Sequence, residues 1–287
     1  MATGLEDELC DILQKAREGR RVSLIQLAKT SGIFLEDIHR VENDGFIPSD
    51  EIIKKLADAL ELHGPSLIDV ARGAWVPDQP EPSPDFEVFC IEAFMGTYPV
   101  KCYLLKCNAT GAVAVIDTGG DPEAVIKKTK ELGVTPSMIL LTHSHSDHEG
   151  GIQVLDRAFS CPVWTDKMEH LSIGCRKQQF AAEGDVIELG KLKIHCLSTP
   201  GHTIGGISYH VTKAVFSGDI IFAGSMGRAN SSFNRLFQAV LEKILVLPDD
   251  TAIYPGHGPI TTVGQEKLHN PFFCGKVLTA DSSPRQE

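Results

Sequence analysis

The densest chemistry in the chain lies in one stretch, Thr142-His143-Ser144-His145-Ser146-Asp147-His148-Glu149-Gly150-Gly151, which follows directly on the apolar run Met138–Leu141. Three of the chain's 11 histidines and one aspartate fall within six positions here. In an extended turn His143 and His145 project to the same side, as residues two apart do. Asp147 and His148 project from the next turn toward a second point. One turn can therefore offer ligands to two neighbouring metal ions. Imidazole with carboxylate suits zinc, and also iron or manganese. Three more candidate ligands sit beside glycine after apolar runs: His202 after Leu197-Ser-Thr-Pro-Gly, Asp219 after Val215-Phe-Ser-Gly, and His257 after Ile253-Tyr-Pro-Gly. Glycine lets the backbone come close to a site.

Strands must end at one place for these residues to meet. Phe86–Met95 and Val100–Leu105 read as strands, and Ala112–Ile116 is a short apolar strand ending at Asp117-Thr-Gly-Gly. Asp121-Pro122-Glu123 supplies a cap, a first-turn proline and an acid near the positive helix end, so a helix runs from there to about Leu132 and stops at Gly133. Met138–Leu141 is the next strand. Others fit around Val163 and at Val186–Leu189, Leu192–Leu197, Gly206–His210, Ala214–Phe216 and Ala252–Tyr254, with a helix over Asn234–Val246. Strand–helix alternation with added hairpins implies a layered α/β architecture.

Residues 1–74 read differently. Leu5, Leu9, Ile12 and Leu13 recur at helical spacing, and Ser23 caps a second helix carrying Leu24, Leu27 and Ala28. Gly32 breaks that helix. Leu35, Ile38 and Val41 mark a third, and Pro48-Ser49 leads into Ile52, Ile53, Leu56, Ala57 and Leu60. The pattern is a bundle of five short helices. Residues 75–85 then hold four prolines within Trp75–Pro84 and read as an extended linker that few contacts cross. The expected division is a helical domain over 1–74, the linker 75–85, a second domain over 86–274 and a flexible polar tail over 275–287.

The composition of the 287 residues, 42% hydrophobic and 23% charged, is that of a soluble globular protein. A net charge of −11 argues against a general polyanion binder, because phosphate contacts need clustered Lys and Arg. The charged N-terminus has no apolar signal core, and no run of about 18 apolar residues could span a bilayer. A cytoplasmic protein without a membrane partner is expected. Its eight scattered cysteines, with no C-x-x-C pair, then read as reduced thiols.

From about residue 86 to 273 the chain resembles the metallo-β-lactamase superfamily. The matching motifs are the Asp117-Thr-Gly strand end, the H-x-H-x-D-H turn, Pro200-Gly-His202, Gly218-Asp219 and Pro255-Gly-His257. The resemblance implies a four-layered αββα sandwich and two divalent ions, zinc first, with iron or manganese as alternatives. It assigns His143, His145 and His202 to one ion, Asp147, His148 and His257 to the other, and Asp219 to both. Asp117 would support the turn. Further motifs are closer to the hydroxyacylglutathione hydrolase (glyoxalase II) branch: His148-Glu-Gly-Gly151, Ser217-Gly-Asp-Ile-Ile-Phe222, Gly224-Ser-Met-Gly-Arg228, Tyr254-Pro-Gly-His-Gly-Pro-Ile-Thr-Thr262 and Lys267-Leu-His-Asn-Pro-Phe272. This implies hydrolysis of a small acyl-thioester by a metal-bridging hydroxide, with Asp147 and Asp219 as catalytic carboxylates and Arg228 holding a substrate carboxylate. The resemblance does not extend to the C-terminal helical domain that holds glutathione in that branch, so the thiol stays open. A mononuclear iron persulfide dioxygenase using His143, His202 and Asp219, a lactonase, and a DNA-binding regulator with a metal-binding sensor domain stay open as alternatives.

The N-terminal part resembles the Cro/repressor helix-turn-helix family over about residues 7–70, through Ser23-Leu24-x-x-Leu27-Ala28, Gly32-Ile33, Ile38-x-x-Val41-Glu42-Asn43, Pro48-Ser49 and Lys55-Leu56-Ala57-x-Ala59-Leu60. The resemblance implies DNA contacts by Arg20, Arg21, His39 and Arg40, and a homodimer. The groove helix, with Glu36, Asp37 and Glu42 around His39 and Arg40, carries more acid than base, which opposes phosphate contact. Dimerisation or docking is the competing use of this module.

Overall fold

The structure is a computed structural model that describes residues 4–96, 98–172 and 174–276, with Tyr98 described by its backbone. The chain opens with helices α1 (Leu9–Gly19), α2 (Leu24–Ser31), α3 (Leu35–Asn43), α4 (Asp50–Ala59) and α5 (Gly64–Arg72). Helix α2 starts at a capping box. Ser23 Oγ accepts from Gln26 N at 3.2 Å while Gln26 Oε1 accepts from Ser23 N at 2.8 Å. It ends where Gly32 turns left-handed, at φ 71°.

Strands β1 (Phe86–Met95), β2 (Tyr98–Cys107), β3 (Val113–Ile116), β4 (Pro136–Leu140), β5 (Val163–Thr165) and β6 (Gln178–Phe180) form the first sheet in that order. Helix α6 (Pro122–Glu131) connects β3 to β4, and α7 (Ser146–Glu149) and α8 (Ile152–Phe159) connect β4 to β5. The second part holds β7 (Val186–Leu189), β8 (Leu192–Ser198), β9 (Ile207–Val211), β10 (Ala214–Gly218), the small pair β11 (Ile221–Phe222) and β12 (Ser225–Met226), and helix α9 (Phe233–Ala239). Next come β13 (Ala252–Pro255), β14 (Thr261–Thr262) and α10 (Val263–His269), and the second sheet runs β14-β13-β10-β9-β8-β7.

The sheets face one another. Tyr103, Leu105 and Ile116 of the first meet Ile194, Tyr209 and Phe216 of the second in a closed apolar layer. Leu104, Val115 and Ile139 on the outer face of the first sheet lie under Val125 of α6 and Leu155 of α8. Val215 and Ile253 on the outer face of the second lie under Leu236 and Val240. The result is the expected four-layered αββα sandwich preceded by a helical bundle.

The expectation of a linker that few contacts cross is corrected. The apolar cluster over the second sheet continues without a break into Leu13, Leu56 and Leu67 of the bundle. Trp75 stacks on His269 at 4.8 Å, Asp78 N donates to Gln265 Oε1 at 2.6 Å, and His63 N donates to Pro271 O at 2.8 Å. Prolines keep this segment extended, but it runs along α10 rather than through solvent. The helix expected over Asn234–Val246 starts one residue earlier, capped by Ser232, and loosens into a π turn over Val240–Ile244. Residues 277–287 of the expected tail lie outside the described residues.

Candidate metal centre

Strand β4 delivers Leu141 and Thr142 to the rim of the sandwich, and Asp117 at the end of β3 fixes the histidine turn that begins there. Asp117 holds a left-handed φ of 55°. Its Oδ1 accepts from Thr142 N at 2.8 Å, and its Oδ2 lies 2.9 Å from His148 Nδ1. One buried carboxylate thus ties both ends of the turn together. Beyond that turn, His202 Nδ1 lies 2.7 Å from Arg228 O and His257 Nδ1 lies 2.7 Å from Pro99 O. Each of these contacts takes the outer ring proton and leaves an Nε2 lone pair facing inward, the orientation metal-ligating histidines require.

The inward atoms form two groups, His143, His145 and His202, and Asp147, His148, Asp219 and His257, with the ligand atoms of each within 4.8 Å of one another. In the first, His145 Nδ1 stands 3.1 Å from His143 Nε2 and 2.9 Å from His202 Nε2. Nitrogens on a zinc tetrahedron with bonds of about 2.0–2.1 Å stand about 3.3 Å apart, so this spacing fits an ion. Asp219 faces both groups. Its Oδ2 is 3.6 Å from His202 Nε2 and 3.3 Å from His257 Nε2, and its Oδ1 is 3.3 Å from His148 Nε2. His148 Nε2 and Asp219 Oδ1 are buried, and neither makes a hydrogen bond. Two buried polar atoms this close, with no hydrogen bond joining them, suit a shared cation that would take the place of a proton.

The two groups differ in charge. Burial, then the neighbouring His148, drives the proton affinity of His143 well below the ordinary range, and burial also lowers that of His202. Burial opposes charge on His148 too, but Asp219 and Asp117 override it and raise it well above the ordinary value. His257 is raised to about 10, against burial, by Asp147 and Asp219. His143 and His202 of the first group are thus held toward neutral imidazole, whereas the second group gathers carboxylates that demand positive charge. Gly256 is the close approach between them. A Cβ there would overlap Asp219 Oδ1 and stand 2.6 Å from His148 Cε1.

The seven candidate ligands and Asp117 therefore meet at one place. Arg228 does not point its guanidinium there. Nη1 pairs with Glu18 of α1 at 2.6 Å, and the residue reaches the centre through its carbonyl on His202. Arg20, expected before α2 as a phosphate contact, instead has its side chain mostly buried, 4.8 Å over the Phe233 ring. His39 and Arg40 are exposed on α3, where Arg40 stacks on Phe46 at 4.1 Å and stands 3.5 Å from Asp37. Glu42, expected among the surface acids of that helix, is instead buried in a bidentate pair with Arg17 at 2.7 and 2.8 Å.

Glu169 escapes the sequence reading. Its buried carboxylate accepts from Ser144 N at 2.9 Å and from Gly205 N at 2.9 Å, so it joins the histidine turn to the His202 loop. A separation of 25 residues and a neighbourhood without motif leave no signal. Glu266 is likewise buried, accepting from Gly224 N at 3.0 Å, Asn270 Nδ2 at 2.7 Å and Thr261 Oγ1 at 2.7 Å. It fastens the loop after Asp219 to α10 and gives the Lys267–Phe272 motif its physical reason.

Comparison with known proteins agrees with this geometry. The profile of the Metallo-beta-lactamase superfamily matches residues 95–257. Hydroxyacylglutathione hydrolase GloC of Haemophilus influenzae is 34% identical over 215 residues, covering 67% of this chain and 99% of that one. The crystal structure of the BLEG-1 B3 metallo-beta-lactamase superposes with a TM-score of 0.59 at 30% identity, over 65% of this chain and all of its own (100%). TTHA1623, solved in a di-iron-bound form, gives a TM-score of 0.56 at 30% identity, over 64% of this chain and 99% of its own. With its candidate ligand residues gathered at the rim of an αββα sandwich, the chain belongs to the metallo-beta-lactamase superfamily.

Proposed function

We propose that this protein is a metal-dependent hydrolase of small acyl-thioesters. The observation that carries the reading is the convergence of His143, His145 and His202 with Asp147, His148 and His257 on either side of Asp219. The likeness to a hydroxyacylglutathione hydrolase along nearly its whole length supports the thioester. His143, His145, His202 and Asp219 would hold one divalent ion, and Asp147, His148, His257 and Asp219 the other, zinc first, with iron or manganese fitting the same donors. Such ions acidify water and polarise a carbonyl oxygen when bound.

The chain's own residues do the rest. Asp117, Arg228 O and Pro99 O hold the imidazoles of His148, His202 and His257 with their lone pairs inward. Burial opposes ionisation of Asp147, but His257, at 3.4 Å, and His148 outweigh it and keep its carboxyl below the ordinary range. Asp147 is then an anion at neutral pH, able to orient the attacking water and accept its proton. A leaving thiolate has a pKa of about 8.5, so thioester cleavage needs no general acid.

The test is a panel of thioesters, lactones and β-lactams run on purified protein alongside an oxygen electrode and elemental analysis. Thioester hydrolysis without oxygen uptake is expected. Oxygen consumption with one iron per chain would replace this reading with the dioxygenase, and cleavage of lactones alone would replace it with the lactonase.

A further inference from the structure

Helix α1 ends at the seam between the bundle and the sandwich, where positive charge is dense. A cleft of about 780 Å³ lies between Arg20, Arg21 and Glu61 on the bundle side and Phe233, Asn234 and Lys276 on the other. A cavity of about 140 Å³ adjoins it, bounded by Lys15, Glu18, Arg228 and Ser231, and Arg21 lines both spaces. Five cationic side chains (Lys15, Arg20, Arg21, Arg228, Lys276) thus face two acids (Glu18, Glu61), in a chain whose net charge is −11.

Three of these charges are answered: Lys15 pairs with Asp7 at 2.5 Å, Arg228 with Glu18 at 2.6 Å, and Glu61 stands 3.7 Å from Arg20 Nε, which leaves Arg21 and Lys276 without a carboxylate partner among the described residues. Arg20 Nη1 is buried without an acceptor, a state that needs an explanation in a native fold. Arg21 makes no ion pair among the described residues and holds φ 58°, a left-handed backbone that favours glycine. Rings brace the cations, with Arg20 over Phe233 at 4.8 Å and Lys276 over Phe237 at 5.3 Å. Burial lowers the proton affinity of Lys276, and the neighbouring Arg20 lowers it further. An anion between them would relieve both costs.

The seam also touches the reaction site. Ser231 Oγ donates to Gly201 O at 2.9 Å, and Arg228 O is the acceptor beside His202 Nδ1. The cavity wall is therefore the loop that holds a candidate ligand. Building on the proposed thioesterase activity, we propose that this seam binds the anionic part of the substrate's thiol carrier, a carboxylate- or phosphate-bearing group. Arg21 comes from the bundle, and Arg228 and Lys276 come from the other half. Guanidinium forks suit both oxyanions.

Inorganic pyrophosphate is the probe. Calorimetric titration of the full chain is expected to show binding that weakens with salt, and by about tenfold in Arg21→Glu and in Lys276→Glu. Arg21→Gln, a milder change, serves if charge reversal unfolds the seam. No binding, or binding unchanged in these variants as chelation at the metal centre would give, overturns the site. In turnover, Arg21→Gln should lower kcat/KM for thioesters of anionic thiols about tenfold more than for thioesters of the neutral thiol N-acetylcysteamine. Equal losses overturn the carrier assignment. Glutathione thioesters report a carboxylate source and phosphopantetheine thioesters a phosphate source. The titration needs no turnover, so a protein that hydrolyses no thioester yet loses pyrophosphate affinity in Arg21→Glu refutes the proposed function and not the seam site.

Discussion

Three of the buried polar atoms without protein partners among the described residues mark two places of opposite character. At the rim of the sandwich they are metal-ligating atom types, His148 Nε2 and Asp219 Oδ1. At the seam the atom is a proton donor, Arg20 Nη1. The rim is built for a cation and the seam for an anion. The rim is also over-determined. Asp117, Glu169, Arg228 O and Pro99 O each fix a ligand or its loop. The seam is fixed chiefly by packing, with cations braced on phenylalanine rings. Rigid geometry suits ions whose bonds tolerate little error, while looser walls suit a variable organic group.

Changes at the rim should have the largest effect. Gly256→Ala drives a methyl into Asp219 and His148, and activity and metal content should both fall to background, read by elemental analysis. A folded variant that keeps its metal would mean the two groups are less tightly apposed than they stand here. Next comes removal of residues 1–74. This removes Leu13, Leu56 and Leu67 from the cluster they share with the fully buried Phe272 and Phe273. Each exposed side chain of this size costs about 1.5–3 kcal/mol, against a total stability of about 5–15 kcal/mol. The truncated protein should aggregate or melt far below the full chain in a thermal scan; an unchanged melting temperature would make the bundle an appendage.

Glu266 gives a smaller, pH-dependent effect where the Asp219 loop meets α10. Burial raises its pKa from 4.5 to about 7, against its hydrogen bonds from Asn270, Thr261 and Gly224. The folded state therefore holds a proton that the unfolded state has released between these values. Its contribution is present below pH 4.5 and lost as pH rises through 7, a span of about 3 kcal/mol. Gln at this position can donate to Thr261 and accept from Gly224 and Asn270, so Glu266→Gln should flatten urea stability across that window. An unchanged slope would place the titration elsewhere. Glu169→Gln is the mildest change, weakening metal affinity by about 10–100-fold through the loops it joins, measured by chelator competition.

The sequence reading and the structure agree where residues repeat or cluster. The strand at Val186–Leu189 alternates exposed and buried residues, and β8 and β9 lie where apolar runs mark them. The histidine turn is legible because its ligands are nearly consecutive, and Asp117 because a strand end precedes it. Glu169, β6 and the β11–β12 pair are not, since two or three residues carry no period and a contact across 25 residues leaves no local trace. Motifs place Arg228 and Arg20 by backbone position, but not by the partner a flexible side chain finds across the fold. Proline content, likewise, accounts for the extension of the linker but not for the surface it lies on.

The central claim is a two-ion hydrolytic centre. The most direct measurement strips the full chain with chelator and follows thioester hydrolysis as zinc, iron or manganese is returned in known ratio. Activity should rise from background and saturate at about two equivalents per chain, the number the two ligand groups imply. Turnover that survives stripping, or that saturates at one equivalent with oxygen uptake, would contradict it.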